Sequence, residues 1–373
     1  MALVLYGGHM SNLDEARKEI EAIDKEMIRL FKRRMECSAE VAMYKKEHGL
    51  PVLDKKREKE LIEKNAKAVK DGEIEGYYRE FFDTMLSVSK KYQHRLLYGV
   101  KVAYSGIEGS FAAISAGKIL PDAKRVPYKN FKEAYEATER GECDLCVLPI
   151  ENSYAGEVGQ VNDLMVTGSL FINGVYELSV SQNLLGVKGA TLKDIKTVVS
   201  HPQALEQCNE YIYDHGFGVI QSENTARAAK EVAENNDIHV AAIASKESAK
   251  LYGLKVLDHD INKSGQNTTR FAVFSRSGEF VNNTSDCDSF ILMFTLKNEA
   301  GALAKAVSTI GAYGYNMHVI KSRPLKERNW EYYFYTEIAG KINTREGKEM
   351  LKVLATVCED YKVIGSYRSG TRL

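Results

Sequence analysis

Apolar residues recur at alternating steps of three and four between Ser11 and His48, a stretch that contains neither proline nor glycine. This spacing is typical of one face of an α-helix, which Ser11 or Asn12 can cap and which the run Gly49-Leu50-Pro51 ends. About 36 residues at about 1.5 Å each predict a helix of roughly 54 Å, whereas a compact domain of this size measures about 30 Å across. Part of the surface that this helix packs against must therefore come from a second chain.

The pattern of apolar residues changes twice more along the chain. Two further helical stretches follow, over about 54–69 and 77–97, so the first segment is predicted to be all-α. From Val100 onwards, short apolar runs alternate with helical ones, which predicts a two-lobed α/β domain with mainly parallel strands. From Ser289 the order is strand, helix, strand, strand, helix, strand, which is the ferredoxin-like α+β pattern. The predicted domains are residues 11–98, 99–276 and 287–370.

Composition indicates a multidomain protein that acts on a small molecule. Lys plus Arg and Asp plus Glu each number 51, so the net charge of zero gives no electrostatic reason to expect nucleic acid or anionic lipid. No apolar run approaches the ~20 residues of a membrane span. Cys143 and Cys146 have CxxC spacing in a strand-like apolar run, so we expect core residues, no metal or cofactor, and a reducing, cytoplasmic location. The first ten residues fit poorly with the helical pattern that begins at Ser11 and are interpreted as a foreign leader before Met10.

Two cations lie on the apolar face of the first predicted helix. Arg34 stands where an apolar residue is expected, and Lys45 follows on the same face, with the small residues Ser38 and Val41 between them. The two cations would be ~16 Å apart along the axis and could converge on one small anion, although a salt bridge between chains would also explain them. Arg17 lies ~42 Å from Lys45 and can reach the same ligand only from an antiparallel partner chain.

These cations belong to an ordered set that resembles the AroQ-type chorismate mutase domain over about residues 13–97. The matching residues are Arg17, Arg34, Lys45, Asp54, Arg57, Glu58, Ser89 and Gln93. The resemblance implies that the dianion chorismate is rearranged to prephenate without a cofactor, in a homodimer of interlocked helices. By this resemblance, Lys45 and Gln93 donate hydrogen bonds to the ether oxygen of the bond that breaks. The substrate carboxylates would be bound by Arg34, Arg57, Ser89 and, from the other chain, Arg17. Asp54 and Glu58 would face the substrate hydroxyl group.

In the α/β segment, hydroxyl and amide residues follow apolar strands at several predicted helix starts. They are Ser110, Asn152-Ser153, Ser200-His201-Pro202-Gln203 and Asn224-Thr225. Each alone is typical of a helix cap, but several helix N-termini at the ends of neighbouring strands also form a receptor for carboxylates. Gly106 and Gly109 form a G-x-x-G turn that lacks the spacing of a dinucleotide fingerprint, so NAD is not expected.

Five runs in this segment, PIENS, SHPQA, NTA, AAIAS and NTTRF at 267–271, resemble prephenate dehydratase in the same order. The resemblance implies a periplasmic-binding-protein-like fold and conversion of prephenate to phenylpyruvate, with loss of CO2 and hydroxide. Thr269 would assist the leaving hydroxyl, and Arg270 would fix the site or a carboxylate. His201 is an alternative acid, for which a capping or structural role is the other interpretation. The residues expected to line the cleft are Asn152, Ser153, Ser200, Gln203 and Thr225.

The C-terminal segment resembles an ACT domain, on the turn Gly301-Ala302-Leu303 and on the run Ser322-Arg323-Pro324 with WEYYF at 330–334. The resemblance implies that the turn and the Ser-Arg-Pro run bind L-phenylalanine at an interface between two copies, and that L-phenylalanine inhibits the enzyme. Lys321 stands where the family motif has glutamate, which removes a plausible partner for an amino group or a neighbouring arginine. A purely structural, dimerising domain is the alternative.

Together the three resemblances indicate one family, the bifunctional chorismate mutase/prephenate dehydratases of phenylalanine biosynthesis, which form homodimers or larger homo-oligomers. One rival hypothesis keeps only one of the two activities, and another joins a chorismate mutase to a non-catalytic small-molecule sensor. Thr269 and the complete mutase set argue against the sensor, because a sensor needs neither.

Overall fold

The computed structural model describes residues 13–263, 267–278, 286–325 and 331–373. The chain forms two compact units, one extending to Gly99 and one running from Val100 to Leu373. The interpreted leader, the capping candidates Ser11 and Asn12, and Trp330 of the C-terminal run lie outside the described residues. Among the helices in the described ranges, none is long and apolar enough to cross a membrane.

The smaller unit is all-α, as predicted. Its helices are α1 (Leu13–Glu47), α2 (Lys55–Ala68) and α3 (Glu75–Tyr98). Each observed end lies within two residues of the end that the apolar spacing predicts. Asp54 caps α2, because its carboxylate accepts a hydrogen bond of 3.0 Å from the backbone N–H of Arg57. Among the described residues of this unit, five apolar side chains are buried: Ala42, Val52, Ala66, Phe82 and Leu86.

Helix α1 leaves much of its apolar face unpacked within the chain. Its 35 residues span about 53 Å, and Ser38 and Ala42 are the residues of the described helix that are buried. Five apolar residues of its first two-thirds share one face, and each is between 45% and 57% exposed: Ile20, Ile23, Met27, Leu30 and Phe31. As predicted, α1 is longer than the surface that its own unit offers for packing, and part of its apolar face stays exposed.

The larger unit begins with two lobes, each built on a sheet. The first lobe contains β1 (Lys101–Ser105), α4 (Phe111–Ile119), β2 (Lys124–Tyr128), α5 (Phe131–Glu139), β3 (Leu145–Asn152), β4 (Gly156–Glu157), α6 (Gly159–Thr167) and β5 (Phe171–Ser179). The second lobe contains β6 (Asn183–Gly186), β7 (Thr197–Ser200), α7 (Pro202–Gln207), α8 (Asn209–Asp214), β8 (Gly218–Gln221), α9 (Thr225–Asn235), β9 (Val240–Ala244), α10 (Lys246–Tyr252) and β10 (Lys255–Asp258). The chain then returns to the first lobe as β11 (Thr268–Ser275).

Both sheets are mixed, which corrects the expectation of mainly parallel strands. In the first lobe β1 runs parallel to β2 and β3, but β11 is antiparallel to both β3 and β5. In the second lobe the order is β10-β6-β9-β7-β8, and β6 is antiparallel to both of its neighbours. The first sheet is mixed because β11 follows the second lobe in the chain and re-enters the first sheet between β3 and β5, antiparallel to both.

The C-terminal part of the larger unit has the predicted βαββαβ order. Its elements are β12 (Ser289–Thr295), α11 (Ala302–Ala312), β13 (Asn316–Pro324), β14 (Tyr332–Ala339), α12 (Arg345–Val357) and β15 (Asp360–Tyr367). The strands pair antiparallel in the order β13-β14-β12-β15. Strand β15 also pairs with β5, where Gly365 lies opposite Ile172, so this sheet continues the sheet of the first lobe. A Cβ atom on Gly365 would lie 2.1 Å from the carbonyl oxygen of Ile172, so the close approach requires glycine.

The CxxC cysteines lie in the core of the first lobe, as predicted. Cys143 and Cys146 are both buried, and they pack in one apolar cluster with Leu148 and Phe274. Burial raises the pKa of both thiols, so both are protonated at neutral pH. Among the described residues, no group of three or more His, Cys, Asp or Glu could hold a metal ion.

Candidate active sites

In the helical unit, α1 and α3 bring together two residues of the predicted set that are 55 positions apart. The guanidinium of Arg34 donates a hydrogen bond to the hydroxyl oxygen of Ser89. That hydroxyl in turn donates to the carbonyl oxygen of Met85 at 2.9 Å. Partial burial lowers the pKa of Arg34 from its ordinary value, which nevertheless leaves the group cationic at neutral pH. Within the described residues, the half-buried cation is therefore held between two helices by the neutral Ser89 oxygen, and it has further N–H groups to offer an anion.

Three other predicted residues of this unit, Gln93, Lys45 and Glu58, have the following surroundings. Gln93 lies one turn after Ser89, and its side-chain oxygen is buried with no hydrogen-bond partner in the described structure. The ammonium group of Lys45 donates to the carbonyl oxygen of Val52 at 2.6 Å. Glu58 forms an ion pair of 2.8 Å with Lys90, a residue that the sequence analysis did not single out and that no spacing signal marks.

Arg17 does not join this group within its own chain. It lies 17 residues before Arg34 in the same helix, which is about 26 Å along the axis. It is exposed, and its nearest acidic partner is Asp14 at 3.8 Å. The geometry of the helix thus repeats what the spacing predicted, that Arg17 is remote from the other cations of the same chain.

In the larger unit, a cleft of about 400 Å³ lies between the two lobes. Four helices, α4, α5, α7 and α9, begin at its wall. Their caps are Ser110, Asn130, His201 and Asn224, each of which accepts a hydrogen bond of 2.8 to 3.3 Å from a backbone N–H two or three residues later. Helix N-termini carry partial positive charge, so the cleft is suited to a ligand with more than one carboxylate. Lys129 in the same wall adds a positive side chain, and the acidic side chain of the wall, Glu223, is paired with Arg227 at 3.0 Å.

Thr269 and Asn152 meet at the floor of this cleft, opposite each other on β11 and β3. The amide nitrogen of Asn152 donates to the hydroxyl oxygen of Thr269 at 2.9 Å. Its amide oxygen accepts from the backbone N–H groups of Tyr154 and Ala155 at 3.0 and 2.9 Å, so the amide has one possible orientation. Because the Thr269 oxygen already accepts, its own proton is available to a ligand in the cleft.

A chain of amides continues from this pair into the second lobe. Asn152 also donates to the side-chain oxygen of Asn267 at 2.8 Å, and Asn267 donates to the oxygen of Gln207 at 3.0 Å. The amide of Gln182 approaches the same Gln207 oxygen at 3.5 Å, and its own oxygen is buried without a protein partner in the described residues. Gln182 and Gln207 were missed by the sequence analysis, because glutamine at these positions carries no periodicity or capping signal.

The remaining predicted residues of this segment divide into two groups. Gln203 and Thr225 line the cleft with Asn152. Ser153 and Ser200 do not belong to its wall, and both hydroxyls serve the backbone: Ser153 accepts from the Thr268 N–H at 2.9 Å, and Ser200 donates to the Ile243 carbonyl at 2.6 Å.

His201 lines the cleft and has a structural role as a helix cap, whereas Arg270 does not line the cleft. His201 caps α7, as the capping interpretation predicts, and burial lowers its pKa, which favours the neutral form that can accept a hydrogen bond. Arg270 is absent from the cleft wall and lies on the other face of β11. There it forms ion pairs with Glu151 at 3.0 Å and with Glu337 at 2.8 Å. Of the two roles expected for Arg270, this placement favours fixing the site, through these two internal carboxylates, over binding a substrate carboxylate.

The residues singled out in the C-terminal part lie at the ends of its elements. Gly301 has a φ of 82°, a conformation that favours glycine, and α11 begins immediately after it at Ala302 and Leu303. Ser322 and Pro324 lie at the end of β13. Arg323, between them, forms ion pairs with Glu157 and Asp163 of the first lobe.

Comparison with known proteins finds a matching family for each of the two segments that contain these residues. A chorismate mutase type II family model matches residues 16–94, and a prephenate dehydratase family model matches residues 102–279. The bifunctional chorismate mutase/prephenate dehydratase of Escherichia coli K12 is 31% identical over 370 residues, which cover 95% of each chain. The chain belongs to the bifunctional chorismate mutase/prephenate dehydratase family.

Solved structures are similar to the dehydratase part of this family. The prephenate dehydratase of Arthrobacter aurescens in complex with L-Phe is 28% identical, with a TM-score of 0.66 over 72% of this chain and 90% of that chain. The quorum-quenching acylase GqqA is also 28% identical, with a TM-score of 0.67 over 72% of this chain and 98% of that one. All eight residues of the predicted mutase set fall within the mutase match, and the Asn152–Thr269 pair falls within the dehydratase match.

Proposed function

We propose that the chain catalyses two consecutive steps of phenylalanine biosynthesis, the rearrangement of chorismate to prephenate and the conversion of prephenate to phenylpyruvate. The observation that carries the second step is the pair of Asn152 and Thr269, called here the catalytic pair, at the floor of a cleft that four helix N-termini surround. The first step is supported by the Arg34–Ser89 contact within the segment that matches chorismate mutase type II.

The mutase step needs no acid, base or cofactor, because the rearrangement is pericyclic. The protein has to hold the compact conformer of a dianion and stabilise the negative charge that develops on the breaking ether oxygen. Arg34 and Ser89 are positioned between two helices to bind one carboxylate, with Arg57 as a further cation. Lys45 and Gln93 supply the donors to the ether oxygen, and Lys45 exchanges its contact with the Val52 carbonyl for this one. Asp54 and Glu58 face the substrate hydroxyl.

The second carboxylate of chorismate is bound by Arg17 from another copy of the chain. Two observations support a homodimer through α1: Arg17 is about 26 Å from Arg34 in its own helix, and a row of apolar residues on α1 is half exposed. Burial of this row against the same row of an antiparallel copy would remove it from water, and it would place Arg17 of each chain opposite Arg34 of the other, because the two arginines lie equally far from the middle of the row.

In the dehydratase step, the bond between the ring and its carboxylate breaks and the electron pair passes through the ring. The bond to the hydroxyl group then breaks, so CO2 and hydroxide leave and the ring becomes aromatic. The helix N-termini hold the two carboxylates, with Gln203 and Thr225 in the wall. Thr269 donates its proton in a hydrogen bond to the leaving oxygen, in the direction that Asn152 leaves open. A buried position makes this hydrogen bond stronger than it would be in water.

The C-terminal part is assigned as an ACT domain through which L-phenylalanine inhibits the enzyme. The βαββαβ order, the turn at Gly301 and the Ser322-Arg323-Pro324 run support this assignment. The similar dehydratase of Arthrobacter aurescens is described in complex with L-Phe. Binding at an interface between two copies agrees with the proposed homo-oligomer. All six cysteines are free, in keeping with a cytoplasmic enzyme.

A time course with chorismate tests the whole proposal. We expect loss of chorismate, transient prephenate and then phenylpyruvate, the last suppressed by L-phenylalanine. Thr269→Ala should stop the chain at prephenate, whereas Thr268→Ala, the same change on a neighbouring residue outside the cleft wall, should not. Accumulation of prephenate by the unaltered chain would instead favour a chorismate mutase joined to a non-catalytic binding module.

A further inference from the structure

The turn between Gly106 and Gly109 lies where the two lobes meet, beside the cleft. It connects β1 with α4, and Gly106 and Ser110 belong to the cleft wall. The two glycines have φ angles of 93° and 89°, a conformation that favours glycine. On the side of the first lobe, the backbone N–H of Gly106 donates to the carbonyl oxygen of Tyr128 at 2.8 Å. The turn is thus fixed to its own lobe at its first residue.

The later residues of the turn contact α10 of the second lobe. The hydroxyl group of Tyr252, the last residue of α10, donates to the carbonyl oxygen of Glu108 at 2.6 Å. The hydroxyl group of Ser248, one helical turn earlier, donates to the carbonyl oxygen of Gly109 at 3.1 Å. A Cβ atom on Gly109 would lie 3.1 Å from the Ser248 oxygen and 3.2 Å from Leu251, so the approach leaves little room for a side chain. Two hydrogen bonds therefore cross from one lobe to the other at this turn.

Helix α10 is fixed in its own lobe by the AAIAS run at 241–245. The run forms the end of β9, and its last residue, Ser245, caps α10 by accepting a hydrogen bond of 3.1 Å from the backbone N–H of Ser248. Strand β9 pairs with β7, and β7 pairs with β8. The helices α7 and α9, which begin at the cleft wall, follow β7 and β8. The position of α10 is therefore tied to the sheet that carries the helix N-termini of the second lobe.

The turn also determines where the start of α4 lies. Ser110 caps this helix by accepting a hydrogen bond of 3.3 Å from the backbone N–H of Ala113. The first N–H groups of a helix have no acceptor within the helix, and Phe111 and Ala112 of the first turn line the cleft. Helix α4 thus presents its partial positive charge to the cleft from the first lobe.

We propose that Tyr252 is a positioning residue for the dehydratase reaction, an inference that rests on the function proposed above. Its hydroxyl group holds the turn of the first lobe against α10 of the second lobe, and it thereby sets the distance between the N-terminus of α4 and those of α7 and α9. A substrate with two carboxylates is bound from both lobes, so its affinity depends on that distance. Ser248 supplies the second hydrogen bond of the contact. Neither residue belongs to the cleft wall, so both act through the turn.

Removal of the two hydroxyl groups in the full chain tests the proposal. Tyr252→Phe should raise the KM for prephenate at least about threefold with kcat changed less than about twofold, because the binding groups move while the catalytic pair on β3 and β11 stays in place. Ser248→Ala added to Tyr252→Phe should raise the KM at least about tenfold, because the turn then has lost both hydrogen bonds to α10. Mutase activity, measured on the same preparations, should be unchanged because its residues lie in the other compact unit.

Tyr211 offers a matched control. Its hydroxyl group donates to the carboxylate of Asp258 at 2.7 Å, a hydrogen bond of similar length that joins α8 to β10 within the second lobe. Tyr211→Phe should therefore leave the KM and kcat for prephenate at the values of the unaltered chain. Equal increases of the KM in Tyr211→Phe and Tyr252→Phe, or a normal KM in the Tyr252→Phe/Ser248→Ala chain, would overturn the proposal.

Backbone hydrogen exchange tests the contact itself and requires no turnover. In the Tyr252→Phe/Ser248→Ala chain, the N–H groups of residues 107–112 should exchange faster than in the unaltered chain, whereas those of residues 225–230 at the start of α9 should keep their rates. Unchanged exchange over 107–112 would show that the turn does not depend on α10 and would overturn the proposal. Failure of the unaltered chain to dehydrate prephenate, measured first, would overturn the proposed function, whereas the exchange result concerns the turn alone.

Discussion

The hydroxyl oxygen of Thr269 accepts a hydrogen bond of 2.9 Å from the amide of Asn152, and this contact decides where Thr269 can send its proton. The amide cannot turn over, because its oxygen is held by the backbone N–H groups of Tyr154 and Ala155. The direction of the hydrogen bond to Thr269 is therefore set by the Asn152 side chain, which two backbone N–H groups hold in one orientation.

The direction of the hydrogen bond from Asn152 to Thr269 predicts a large effect for Asn152→Asp, which keeps the shape of the side chain and removes the N–H donor. The new carboxylate would accept the Thr269 proton and turn it away from the cleft. We expect the dehydratase kcat to fall by about 100-fold, the order of magnitude for loss of one oriented donor at a reacting oxygen. Prephenate turnover measures the effect, and mutase activity of the same sample is the control. An Asn152→Asp chain with the normal rate would contradict the assigned polarity.

Lys45→Ala should remove the mutase activity and spare the dehydratase. Loss of the ammonium group removes a donor to the ether oxygen, so we expect the mutase kcat to fall by about 10²- to 10³-fold. Lys46→Ala is the matched control, because Lys46 is the adjacent residue of α1 and is exposed. Chorismate consumption and, separately, conversion of supplied prephenate are the two measurements. Parallel loss of both activities would show that the two sites are not independent.

Complementation between chains tests the origin of Arg17. Arg17→Ala and Lys45→Ala chains should each be inactive as mutases, but unfolding and refolding them together should restore about a quarter of the normal activity. Half of the randomly formed dimers would be mixed, and each mixed dimer would contain one intact site. Mass spectrometry of the native dimer measures the mixed fraction. Mixed dimers without activity would place Arg17 outside the partner's site.

The stability of the larger unit should depend on pH through His201. Burial lowers the pKa of His201 from its ordinary value of about 6.5, and the neutral ring accepts a hydrogen bond from the Gln203 N–H. The unfolded chain binds the proton more readily, so this stabilisation is present above about pH 6.5 and is lost as the pH falls through the folded-state pKa. His201→Asn, a cap that does not titrate, should flatten this part of the profile. Urea unfolding between about pH 5 and 8 measures it, and identical profiles would contradict the assignment.

Much of the fold could be predicted because it depends on local signals. The spacing of apolar residues predicted α1, the run Gly49-Leu50-Pro51 predicted where it stops, and the caps Ser110 and Asn224 mark helix starts by their chemistry alone. Strand alternation also carries information that the sequence analysis left unused. Thr269 and Arg270 are neighbours in a strand, so a strand that turns Thr269 to the cleft must turn Arg270 away from it.

Contacts between distant residues could not be predicted in the same way. The sequence identified Lys321 as a departure from a family motif, but its partner Glu151 lies 170 positions away. The partner of Arg270, Glu337, lies on a strand of another domain, and the pairing of Gly365 with Ile172 joins two sheets whose strand patterns read as separate. Such contacts follow from how the elements pack together, which periodicity does not encode.

The pairing at Gly365 also limits how the C-terminal part can communicate with the cleft. A domain attached only through its side chains could respond to a ligand by undocking and redocking as a rigid body. Here the backbone of β15 is paired with that of β5 at Gly365 and Ile172, so undocking would have to separate two strands of one sheet as well as the side-chain contacts. The C-terminal strands therefore have a backbone route to the sheet that carries the cleft, in addition to the ion pairs between the two parts.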